Sequence, residues 1–136
     1  MVETNDKEEA PVAFAISGVG LDIEGISHAL DLSPTHVHRV GENNMIGEPF
    51  SHDMWMLDSE LSDTEPLDAH LKWFIEKLRP HYDFIKSLKS NAELSVYCGF
   101  NCDGDQCGFS LTPEALAIFT ELGIPMEVTV LSDCEE

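Results

Sequence analysis

At 136 residues and 15.1 kDa the chain is one domain long, enough to bury a core without disulfide or metal staples. A hydrophobic fraction of 43% marks it as globular rather than disordered. Seven Lys and Arg against 26 Asp and Glu give a net charge of −19 at pH 7, which argues against direct binding to nucleic-acid phosphates or an anionic membrane surface.

Residues 1–10 carry four acids and no apolar periodicity, so they read as a frayed acidic tail without the character of a signal peptide. Val12, Phe14 and Ile16 alternate with small residues, which predicts a strand broken at Gly18 and Gly20. Asp22 is a natural N-cap for a short helix carrying Ile23, Ile26 and Leu30, with Pro34 as its stop. His36 to Val40 predicts a second strand, and the Gly- and Asn-rich stretch 41–51 a loop. Met54 to Leu57 predicts a third strand. Leu67, Leu71, Phe74, Ile75, Leu78, Tyr82, Ile85 and Leu88 then recur at helical spacing. Pro80 interrupts that stripe without shifting its phase, which predicts one bent helix.

Leu94, Val96, Cys98 and Phe100 predict a fourth strand. Residues 101–108 read as a hairpin connection, with Phe109 and Leu111 in the returning strand. Thr112-Pro113-Glu114 is a strong helix start, Leu116, Phe119 and Leu122 are its expected inward face, and Gly123 suits its end. Met126, Val128 and Val130 predict a last strand, followed by a loose acidic end at 133–136. The expected fold is a single α+β domain over residues 11–132. It is a ferredoxin-like sandwich of six mostly antiparallel strands, with the long helix and two shorter ones on one face. No apolar run approaches the roughly 20 residues of a membrane span, so the expected location is the cytoplasm, where the four cysteines are thiols.

A set of landmarks recurs in order along the chain. Phe14-x-Ile16-x-Gly18 is followed by Leu21-Asp22, Leu32-x-Pro34-Thr35, Arg39-x-Gly41-Glu42, Trp55 and Leu78-x-Pro80. Gly108-Phe109-x-Leu111-x-Pro113 and Leu122-Gly123-Ile124 complete it. In order and spacing these residues resemble the bacterial family catalogued as domain of unknown function 4279, over residues 12–131. The resemblance implies a small stand-alone cytoplasmic bacterial protein and an association with immunity against toxins. It implies no enzymatic activity and no cofactor.

Four groups of residues invite a chemical reading. Cys98-x3-Cys102-x4-Cys107, with Cys134 as a fourth thiolate, is the most metal-like, yet it lacks the paired C-x2-C spacing of zinc sites. Cys98 equally suits the inward face of its strand, as a small hydrophobe. His36 and His38 fall on one face of a strand with His52-Asp53 not far along, a second place for a metal or a small ligand. Asp103-Gly104-Asp105 resembles the start of a calcium loop but turns back too soon. Arg39, Glu42 and Trp55, shared with the family, either line a recognition pocket or divide into a surface ion pair and a core indole. No nucleophile elbow, phosphate loop or acid–base pair at credible spacing points to an enzyme.

Charge is unevenly placed. Residues 66–90 hold Lys72, Lys77, Arg79, Lys86 and Lys89 against three acids, so a mildly basic helix sits on an acidic body. Such acidity serves solubility, steers a basic partner or mimics nucleic-acid phosphates toward a binding protein. The expected function is a non-catalytic acidic protein-binding module, immunity-like, that sequesters a basic protein. The alternative is a metal- or small-ligand-binding protein built on the cysteine cluster or the His36/His38 face. The basic helix also suits pairing with the acidic face of a second copy, as a homodimer.

Overall fold

A computed structural model describes residues 12–62, 64–102 and 108–132, without the side chains of residues 101, 102, 131 and 132. The expected tails at 1–10 and 133–136, the hairpin tip at 103–107, and Cys107 and Cys134 lie outside the described residues. Strand β1 (Val12–Gly18) leads into helix α1 (Ile23–Leu30). Strands β2 (His36–His38) and β3 (Asp53–Asp58) follow. Helices α2 (Leu67–Leu78) and α3 (Tyr82–Ser87) come next, then strand β4 (Glu93–Cys102), helix α4 (Pro113–Leu122) and strand β5 (Met126–Ser132).

The strands form one mixed sheet in the order β2-β3-β1-β4-β5, antiparallel throughout except for the parallel β4–β5 pair. Five strands, not six, are present among the described residues: Phe109 and Leu111 lie in no strand. The edge of β4 that a returning strand would pair with is taken by β5, which arrives parallel through α4. Val12, Phe14, Ile16, Trp55, Leu57, Leu94, Val96 and Cys98 point to one face, where they pack with the buried residues of all four helices into a single core. On the opposite face Ala13 and Ala15 are buried, although the described helices pack on the other side of the sheet. In register they sit between larger neighbours, Ala15 between Met56 and Ser95 and Ala13 between Asp58 and Tyr97.

Local chemistry explains most helix boundaries. Asp22 caps α1 by accepting from the Gly25 N–H at 3.1 Å. The helix ends at Asp31, which adopts the left-handed conformation at φ 55° before Pro34 is reached. Around Pro80 a 3₁₀ turn, Arg79–His81, joins α2 to α3, giving the bent element that the uninterrupted stripe required. Thr112 caps α4 through the Ala115 N–H at 3.2 Å, and Gly123 closes it at φ 68°.

Helix α4 is rotated from expectation. Ala115, Ile118 and Leu122 are buried, while Leu116 is 41% exposed and Phe119 half-buried. The stretch Ala115 to Phe119 is apolar at every position, so periodicity alone left the inward stripe undetermined. Three of the five cations of the basic segment are engaged in ion pairs or hydrogen bonds within the chain. Lys72 pairs with Asp68 at 3.1 Å, Arg79 with Glu121 at 2.9 Å, and Lys89 donates to the Leu122 and Gly123 carbonyls that end α4.

Candidate functional site

The chemically distinctive end of the molecule is the β2–β3 connection. Residues 41–50 form a small ordered hairpin rather than a plain loop. Gly41 N–H donates to the Phe50 carbonyl at 3.1 Å, and Phe50 N–H donates back to the Glu42 carbonyl at 2.8 Å. Asn43 and Pro49 bridge the two arms. At the tip the Asn44 side-chain oxygen accepts from the Ile46 and Glu48 N–H groups at 2.9 and 3.0 Å, a turn chemistry for which asparagine is suited. Gly47 completes the turn at φ 84°. The result is a stiff tip that holds two apolar side chains in solvent, Met45 at 102% and Ile46 at 76% exposure. They line, with Asn43, Asn44 and Phe50, a shallow hollow of about 560 Å³.

Asp53 anchors the base of this hairpin. One of its carboxylate oxygens accepts from the Gly20 and Leu21 N–H groups at 2.7 and 2.9 Å, the other from Val40 N–H at 2.7 Å. The N–H groups of Val40 and Leu21 hold its carboxyl below the usual range, and the residue is buried. A single side chain therefore ties the β1–α1 turn to the end of β2.

The residues anticipated as a pocket occupy different layers. Trp55 is 0% exposed; its ring meets Phe14 edge-on at 6.4 Å and its indole N–H donates to Ser27 Oγ at 2.9 Å. Arg39 reaches the other way, to Glu24 of α1 at 2.6 Å. Glu24 is held below its usual range by a hydrogen bond from its own backbone and by that guanidinium. Glu42 accepts from the Arg39 backbone N–H at 3.0 Å. Arg39 and Glu42 are thus neighbours at the surface, and Trp55 lies in the core.

On the open sheet face β2 places His36 opposite Met56 and His38 opposite Met54. His36 pairs with Asp58 at 3.3 Å. His38 stacks flat on Phe50, with ring centroids 3.6 Å apart, and meets His52 at 5.4 Å. Its Nε2 is buried with no hydrogen-bond partner, and such an orphaned atom costs on the order of 1–3 kcal/mol. Burial, then the neighbouring His52, lowers the His38 pKa below that of a free imidazole. His52 and Met54 line a hollow of about 470 Å³ with Ser17, Glu93 and Tyr97. Of the cysteines, Cys98 is in the core, where burial pushes its thiol up to about 11, and the Cys102 side chain is outside the described residues. Among the described residues no three His, Cys, Asp or Glu side chains gather to hold a metal ion. No described helix is long and apolar enough to cross a membrane.

A family model described as domain of unknown function (DUF4279) matches residues 7–133. The chain belongs to the DUF4279 family. No curated protein and no solved structure matches it. For this DUF4279 chain, then, chemistry has to be argued from its own residues. Sequence reasoning missed the hairpin tip and the role of Asp53; it set His52 near the His36/His38 face, and the structure brings its ring to His38 in particular. The one available signal for the tip was an apolar pair, Met45-Ile46, set between Asn and Gly in an otherwise polar stretch.

Proposed function

We propose that this protein is a non-catalytic, acidic protein-binding module, immunity-like in mode, that sequesters a basic partner. The observation that carries the reading is the hairpin tip: Met45 and Ile46 stand in solvent on a turn stiffened by Asn44. A turn whose backbone is already fixed loses little backbone entropy on docking, which favours a few exposed apolar side chains as the anchors of an interface. Glu42 and Glu48 flank the tip within the hairpin, and the net charge of −19 supplies long-range attraction. Steering by the acidic body and burial of the tip in an apolar pocket of the partner are the two steps of the mechanism.

Native mass spectrometry of the untagged protein from its own host tests this. The expected result is a basic polypeptide bound at low salt and released as salt rises. The Met45→Asp/Ile46→Asp double variant is expected to melt like the parent, because neither side chain is in the core, and to bind that polypeptide at least about 100-fold more weakly. A chain that is bare at low salt, or a double variant that keeps the partner, refutes the reading.

A further inference from the structure

Three residues with donor side chains of a distinctive kind lie close together on the sheet face away from the helices, at the base of the hairpin. His38 on β2 is directly opposed by Met54 on β3, so their Cβ atoms face the same side at roughly 5 Å. His52 lies two residues before Met54, lines the same hollow, and brings its ring to 5.4 Å from that of His38. We propose that His38, His52 and Met54 form a binding site for one soft monovalent metal ion, copper(I) in kind.

The chemistry of the set decides the class of ion. Two imidazoles that share a metal at about 2.0 Å from each nitrogen have ring centres about 5 to 6 Å apart, and the observed separation lies in that interval. The third donor is a thioether, which favours copper(I) and is a poor ligand for zinc or calcium. No three nitrogen, thiolate or carboxylate residues converge among the described residues, so a harder divalent ion finds no complete set there. His38 Nε2 is buried without a hydrogen-bond partner, and a bound ion satisfies it. Flat stacking on Phe50 holds the His38 ring in place, and the contact of His52 Nδ1 with Ser51 Oγ at 3.2 Å leaves Nε2 of that ring to ligate. His36, engaged with Asp58, is outside the set and serves as the control. The donors of this site are distinct from the apolar pair of the proposed docking tip, with Phe50 bordering both, so either proposal stands without the other.

The test uses the full-length chain with Cys102, Cys107 and Cys134 changed to Ser, which removes competing thiols and keeps the buried Cys98. Silver(I), a redox-stable analogue, and copper(I) held reduced with ascorbate are titrated against it, observed by NMR at methionine methyl and histidine ring resonances. The expected result is one equivalent bound, with the Met54 methyl and the His38 and His52 rings shifting together and the fully exposed Met45 methyl unmoved. Met54→Leu, which preserves volume, is expected to weaken binding at least 10-fold; His38→Gln does the same, and His36→Gln leaves it unchanged. Absence of these shifts at one equivalent, a Met54→Leu variant that binds like the parent, or zinc binding there as tightly as silver overturns the proposal.

Discussion

Replacing Trp55 by Phe probes whether its indole acts as the hub of the core. The ring is fully buried, abuts Phe14 and donates its N–H to Ser27 of α1, so it joins β1, β3 and α1 at one point. Phe keeps the six-membered ring and loses the pyrrole portion. Lost burial costs about 1 kcal/mol. The small cavity left behind adds about 1 kcal/mol, and loss of the hydrogen bond to Ser27 about 1 kcal/mol more. A total of about 3 kcal/mol lowers the urea midpoint by about 2 M at a slope of about 1.5 kcal/mol/M. Far-UV circular dichroism follows the transition, because Trp73 alone would remain as a fluorophore. Ser27→Ala and the double variant complete a cycle, with a coupling of about 1 kcal/mol expected between the two side chains. A Trp55→Phe loss below about 0.5 kcal/mol, within the range of ordinary surface changes, would refute the hub assignment.

Other expectations concern titrating groups. Asp53 and Asp68 have lowered pKa values in the folded state, Asp53 through the N–H groups of Val40 and Leu21, Asp68 through Thr112 N–H and then Lys72. Their contribution is complete above the ordinary Asp value near 3.9 and is lost as pH falls through the lowered folded values, since the unfolded chain takes up protons first. Asp53→Asn is therefore expected to melt below the parent at pH 7, with the gap shrinking below pH ~4 in calorimetric scans. A gap that widens on acidification contradicts the three-donor assignment. Cys98, with its thiol pushed up to about 11 by burial, should resist iodoacetamide at pH 8 in the folded protein and react once urea unfolds the chain. Peptide mass mapping reads both states, and rapid labelling of Cys98 in the native protein would remove it from the core.

What the sequence by itself determined is what depends on neighbours a few residues away. The alternation in β1, the stripe that survives Pro80, the Asp22 and Thr112 caps and the Gly123 terminus all follow from contacts within one or two turns of chain. Arg39 and Glu42 as surface neighbours were within that reach as well, three residues apart. Tertiary structure decided everything that needed a distant partner. Asp53 finds its N–H donors 33, 32 and 13 residues away, and no local pattern marks a carboxylate for that task. The rotation of α4 was settled by what it packs against, because its own apolar residues run all round the helix. β5 took the edge of β4 in parallel and left Phe109 and Leu111 outside the sheet, since pairing is a competition among strands that periodicity does not rank. The two functional proposals share this origin. Met45 and Ile46 became an exposed apolar tip only when Asn44 turned the chain there, and His38, His52 and Met54 became neighbours only when β2 paired with β3.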